Sequence, residues 1–300
     1  MLPAFFIPAV AAYFLLALAG LIDKVLLKTA IISPRAYAFY VGILSAGVLV
    51  LLPFGVVEMP TLRIGFFALI SGVAGVYALW AFYGALKAHE ASRVITTVGA
   101  LVPIFTLLLS VPLLNESLSF PQLLAFGLLV LGGVLISYRE NVKRSYTLSL
   151  FNHAATAAVL FAISFTFLRL IFLSEPFWNG LFWARIGGVF GALTIVAVPE
   201  NFRRIYWATK KAPRTAPIPF VLNQALGGGG AVLQNYAIFL GSAALVGALQ
   251  GVQYVFVLIL IVLLARRLPQ LREQFGSREK VKKILATVLV AAGLYLLAVG

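Results

Sequence analysis

Cysteine is absent from the 300 residues, which excludes disulfides, a thiol nucleophile and any thiolate metal site. Acidic residues are scarce, nine against 23 lysines and arginines, and charged residues of both signs make up 11% of the chain. Soluble domains carry about 25%. Catalytic constellations are missing too. His89 and His153 have no partners at metal-ligand spacing, and the Gly227–Gly230 run lacks the Lys-Ser/Thr that completes a phosphate loop. No cofactor, metal or enzymatic activity is therefore expected. What remains is apolar: 62% of the residues are hydrophobic. The chain reads as an all-α integral membrane protein. A net charge of +14 would suggest nucleic acid in a soluble protein. Here the cations lie between apolar segments and act as topology determinants, so the expected partners are membrane lipids and a small-molecule substrate. Oligomeric state is left open.

A helix needs about 20 apolar residues to cross the hydrocarbon core. Ten segments meet or approach that length: 4–22 or, in a longer reading, 4–27, then 36–57, 64–86, 94–114, 119–138, 148–173, 179–198, 218–240, 243–264 and 284–300. The first begins without a basic leader and reads as a retained helix. Ser33-Pro34, Met59-Pro60, Asn115-Glu116-Ser117 and Glu175-Pro176 supply turn chemistry between them.

Ala85–Val94 and Ala237–Val246 are variants of one small-residue junction, and the same register pairs Leu86 with Ile238. Earlier in each half, Ala17–Lys24 aligns with Ala162–Arg169, pairing Lys24 with Arg169, and Tyr40 aligns with Arg185. Later, Gly133-Val134 aligns with Gly293-Leu294. Two repeats are expected, over residues 1–140 and 146–300, joined by the basic linker Arg139–Ser145. Five helices per repeat is an odd number, so the second repeat must be inverted. The extra length of the second half falls in Leu268–Lys283, as an amphipathic surface helix or a solvated loop.

All lysines and arginines except Arg63, Arg169 and Arg185 fall in the odd-numbered connections. Basic residues accumulate on cytoplasmic loops. This charge bias implies a plasma or inner membrane protein with both termini outside the cytoplasm.

Several runs carry a family resemblance. They are Ala85-Leu86 and Ala91-Ser92, Leu101-Val102-Pro103-Ile104-Phe105, Leu114-Asn115-Glu116-Ser117-Leu118, Gln122, and the spacing from Gly127 to Gly132-Gly133-Val134. Together they resemble the ten-helix EamA-like branch of the drug/metabolite transporter superfamily. The second half departs from it, with Val255 at the place of Pro103 and Arg267-Leu268 at that of Glu116. The resemblance implies a carrier of small metabolites, often an exporter, with a cavity between two five-helix repeats. It also implies cytoplasmic termini, the reverse of this sequence's own charge bias, which we follow.

Polar groups inside a membrane face a cavity or another helix. Gln250, Gln253 and Tyr254 share one helical face at i, i+3 and i+4. Gln234 and Asn235 end a second stripe that starts at Gln224. Tyr77, Trp80 and Tyr83 form an aromatic stripe. Arg185 lies about two turns into its segment, either snorkelling or anchoring an anionic substrate. These nine residues are the candidate substrate site. Asp23, Glu90 and Glu116 are read as helix-end acids, with Glu116 an N-cap or turn anchor. That leaves no mid-membrane carboxylate for proton coupling, only weak coupling through a helix-end acid as an alternative, and the expected function is an exporter, facilitator or exchanger of a small polar, amino-acid-like or other anionic or zwitterionic solute. Lipid-linked substrate flipping and a non-transport scaffold are the alternatives. Single cysteines introduced at Leu2 and Lys210 test the orientation: an impermeant thiol reagent on intact cells labels the first and spares the second, and the opposite pattern inverts it.

Overall fold

The computed structural model describes residues 2–30, 33–137, 144–264 and 277–299. It is helical throughout: α1 (Phe6–Thr29), α2 (Pro34–Leu44) continued by a 3-10 segment (Ser45–Phe54), α3 (Leu62–Ala88), α4 (Ala91–Leu114), α5 (Phe120–Ser137), α6 (Arg144–Phe172), α7 (Phe177–Ala197), α8 (Pro199–Lys210), α9 (Pro217–Leu240), α10 (Ala243–Ala248), α11 (Gly251–Leu264) and α12 (Ser277–Val299). Seven stretches are long and apolar enough to cross a membrane: α1, α2 with its 3-10 continuation, α3, α4, α6 from Leu148, α7, and α10–α11 taken together. The apolar parts of α5 and α12 are shorter. In α9, Gly227–Gly230 and four Gln or Asn residues dilute the hydropathy. All ten expected segments are thus helical. The linker residues 138–143 and the inserted residues 265–276 lie outside the described residues, while Ser277–Lys283 opens α12.

Three features depart from the expected spans. The second span is not uniform α-helix. Ser33 caps its start by accepting from the Ala36 amide at 3.4 Å, but after Leu44 the chain tightens into 3-10 geometry and stops at Gly55, whose φ of +65° is left-handed. The ninth span is broken. Ser242 caps α10 by accepting from the amides of Ala244 and Leu245, and six residues later the Gln250 amide bonds back to the Gly247 carbonyl at 3.0 Å before α11 starts. Gly247 packs at the backbone of Pro103 in α4, so the break occurs where a small residue faces a helix-interior proline. The third feature, α8, was not expected as a helix. Ile205 and Asn201 on its inner side are buried, and Phe202, Tyr206 and Trp207 are exposed. The cations that mark this connection as a loop in the sequence are the polar part of an amphipathic helix.

The two copies of the repeated junction are held in the same way. Lys24 Nζ of α1 donates to the carbonyls of Leu86 and His89 at the α3–α4 turn. Arg169 Nη1 of α6 donates to the carbonyls of Ile238 at 2.9 Å and Phe239 at 2.7 Å at the end of α9. Helix ends leave carbonyls without intrahelical partners, and in an apolar medium an unmet carbonyl is costly. A cation from the first helix of each repeat meets that need. Beside Lys24, burial first, then the charges of His153, Arg93 and Lys24, pull His89 below the ordinary histidine value, so it is neutral at pH 7.

Contacts between the halves repeat as well. Ser71 of α3 and Ser164 of α6 exchange hydroxyl-to-carbonyl bonds of 2.9 and 2.8 Å. At the corresponding place, Asn223 of α9 donates to the Ala19 carbonyl of α1 at 3.3 Å. The third helix of each half therefore packs on the first helix of the other, the arrangement of an inverted repeat. Glu116 joins the copies across the α4–α5 turn by accepting from Ser242 Oγ at 2.8 Å; it is a turn anchor and not a cap of α5.

Replacing Lys24 by Met leaves the carbonyls of Leu86 and His89 without that donor. We expect it to cost about 1–3 kcal/mol, seen as a lower thermal midpoint of the purified protein in detergent. Lys28→Met, at an exposed position of the same helix, leaves the midpoint in place. Equal midpoints for all three proteins would remove the clamp from the account.

Candidate substrate cavity

A cavity of about 520 Å³ lies among α1, α2 with its 3-10 continuation, α3, α4, α6, α7 and α9, and the α10–α11 break borders it. Its size suits a small molecule. It exists because the two flanks of the bundle are packed unequally. On one flank α3 and α7 meet backbone to backbone: a Cβ placed on Gly72 would lie 2.1 Å from the Gly187 carbonyl carbon, and one on Gly187 would lie 2.1 Å from the Ala68 oxygen. On the related flank α2 and α9 hardly touch along most of their length. Gly47 and Gly228 both line the cavity, both are exposed, and neither has an atom within 4 Å of a would-be Cβ. The cavity therefore reaches the surface between the 3-10 segment and α9.

At its other end the cavity is sealed by a polar knot around Asp23. This residue was expected at a helix end. In fact α1 continues to Thr29, so Asp23 is inside the helix, buried, and in the cavity wall. Tyr37 Oη of α2, Asn223 Nδ2 of α9 (2.6 Å) and Gln224 Nε2 of α9 (3.4 Å) all donate to one carboxylate oxygen, Oδ1. Oδ2 receives no hydrogen bond among the described residues. Around the knot, Tyr37 packs on Tyr83 and Phe220 at ring-centroid distances of 4.5 and 4.9 Å. Here side chains join α2 to α9: Tyr37 meets Phe220 and Gln224, and Tyr40 meets Phe220.

The expected residues distribute as follows. Arg185 lines the cavity from α7 and makes no hydrogen bond or ion pair among the described residues. Gln250 and Gln253 line it from the helix break, joined to each other by a 3.1 Å bond. Gln250 belongs to the turn and not to a continuous helical face. Gln234 and Asn235 line it from α9, and Gln234 Nε2 donates to Tyr13 Oη at 3.3 Å. Tyr83 lines it at the Asp23 end.

The other three candidates stand elsewhere. Tyr254 is turned away from the cavity and packs where a Cβ on Gly99 or Gly133 would go, between α4 and α5. Tyr77 and Trp80 line a separate groove beside α8. Tyr254 and Gln250 both reach Gly99 of α4, but Tyr254 goes on to fill the space at Gly133 of α5. The stripe expected for Tyr77, Trp80 and Tyr83 spans more of a turn than one cavity can share. Residues missed by the sequence reading are Asp23, Tyr37 and Asn223. Extending the first helix to Thr29 would have moved Asp23 inward, because Val25–Leu27 continue the apolar run.

Comparisons with known proteins agree with this architecture. Residues 5–138 match the EamA-like transporter family. No curated protein matches the chain significantly. A crystal structure of another protein superposes with a TM-score of 0.63, covering 98% of this chain and 95% of that one at 18% identity. That likeness concerns the fold alone.

Proposed function

We propose that this membrane protein, whose residues 5–138 match the EamA-like transporter family, is a secondary transporter of a small polar solute bearing an anionic group. The observation that carries the reading is Arg185, a guanidinium in the cavity wall with no partner among the described residues. An arginine is costly to keep in an apolar interior without an anion, and a carboxylate or phosphate entering the cavity supplies one in bidentate geometry. Oδ2 of Asp23 offers the complementary group, an acceptor for a substrate ammonium, so an amino-acid-like zwitterion fits both ends. Gln250, Gln253, Gln234 and Asn235 add neutral donors and acceptors between them.

In this reading the units 1–140 and 146–300 exchange roles by alternating access. The present form is closed between α3 and α7 and parted between α2 and α9. The opposite form parts α3 from α7 and brings Gly47 toward Gly228. The charge-rich connections are cytoplasmic and the termini outside, which makes the Asp23 knot the cytoplasmic seal. Export, facilitation and exchange are all compatible with this geometry. The sideways opening at Gly47 and Gly228 favours a second reading, passage of a lipid-linked substrate whose polar head uses the cavity while its tail stays in the bilayer.

Counterflow into proteoliposomes with a panel of radiolabelled amino acids and organic acids tests the first reading. Wild-type protein accumulates at least one of them. Arg185→Ala removes a charge-assisted contact worth about 1.5–3 kcal/mol and lowers uptake at subsaturating solute roughly tenfold or more. Undiminished uptake by Arg185→Ala would sink the anchor, and absence of any solute flux beside rapid scrambling of a fluorescent lipid would favour the second reading.

A further inference from the structure

The basic groove beside α8 plays no part in the cavity just described. It is an open depression of about 950 Å³ between α3, α6, α8 and the start of α2. Arg35, Lys87, Arg203, Arg204 and Lys211 line it, and no carboxylate does among the described residues. Two acids lie within four residues of these cations and outside the groove lining: Glu200, paired with Arg204 at 2.5 Å with both side chains exposed, and Glu90, three residues after Lys87. Five cations gathered on one concave surface exceed what orientation in a membrane requires, because a positive-inside bias needs charge in the loops and not convergence.

The walls say what kind of anion fits. Trp80 and Trp207 stand in the groove, with the Arg35 guanidinium 5.3 Å from the Trp80 ring. Going inward, the lining changes from cations to the apolar Ala81 and Leu160. The outer stripe of α8 carries exposed Phe202 and Tyr206, one helical turn apart. Tyr40 Oη and Thr209 Oγ1 meet at 2.7 Å and, with buried Ile205, fix α8 against α2 and the bundle. A helix with aromatic residues on one stripe and cations on the next lies in the plane of the headgroups. Polar head outward and chain inward is the geometry of an amphiphile.

From this convergence we propose that the α8 groove is a binding site for the phosphate headgroup of an anionic glycerophospholipid. Arg203 and Lys211, one and three turns along α8, hold the phosphate from one side, and Arg35 and Lys87 from the other. The acyl chains run down past Ala81 and Leu160. The bound lipid fixes α8 against α2, the helix whose separation from α9 opens the cavity, and it does so whatever solute the cavity takes.

Native mass spectrometry of the full chain tests this, with phosphatidylglycerol and phosphatidylcholine of equal chain length offered together. Wild-type protein retains phosphatidylglycerol in preference by roughly tenfold. Arg203→Gln with Lys211→Gln brings the ratio close to one. Lys210→Gln with Arg214→Gln removes the same charge from side chains outside the groove and keeps the preference. Equal retention of both lipids by the wild type overturns the proposal, as does an equal loss in both double variants. Displacement of bound lipid by millimolar inorganic phosphate also overturns it, because the site then takes a soluble anion. Quenching of wild-type tryptophan fluorescence needs no variant: brominated phosphatidylglycerol quenches more strongly than brominated phosphatidylcholine if the groove is occupied, and equally if it is not.

Discussion

The contact of Gly72 with Gly187 is the constraint on which the rest of the structure depends. Two helices can lie backbone to backbone only where neither carries a Cβ, and in a membrane such close packing supplies much of the attraction between helices. Here it draws α3 onto α7 so closely that a single methyl on either glycine would overlap the other helix. The related pair, α2 and α9, has Gln224 in the place of Gly72 by the repeat register and stays apart. An inverted repeat with identical flanks would have no preferred side. This one is closed on one flank and open on the other, and the cavity is the difference.

Polar groups then decide how that space is used. The cations at Lys24 and Arg169 are committed to backbone carbonyls and belong to the framework of both halves. Arg185 and Asp23 are not duplicated. The register sets Tyr40 against Arg185 and Leu168 against Asp23. The shared cations hold the repeat, and the unshared charges face the cavity. That division separates the charges of the framework from those of the cavity wall. The Asp23 knot has a further property: its donors come from α2 and α9, so it ties the parted flank at that end. Any motion that closes this flank must rearrange the hydrogen bonds on Oδ1.

Helix number, order and the inverted duplication were legible in the sequence because they rest on apolar run length and on spacing, which the bilayer enforces strictly. The correspondence of Lys24 with Arg169 was legible for the same reason, and the geometry gives both the same task. What could not be read was interruption within a span. A broken ninth helix and a 3-10 second helix keep the same hydropathy as intact ones, and Tyr254, though it meets Gly99 beside Gln250, does not line the cavity. Asp23 was misjudged by the boundary of α1, where two adjacent charges resemble a helix end. For α8 the cations masked the amphipathic pattern, since charge dominated a segment too short to span.

The central claim is that two forms of one framework alternate: one with α3 closed on α7 and α2 parted from α9, and one with α2 closed on α9 and α3 parted from α7. Electron paramagnetic resonance distances between spin labels at Gly47→Cys and Gly228→Cys, in the native cysteine-free background and in nanodiscs, test it most directly. The account predicts two distance populations. Adding Gly72→Ala, which wedges α3 from α7, should shift weight to the shorter one. A single distance, unmoved by Gly72→Ala in protein that remains folded and monodisperse, would contradict it.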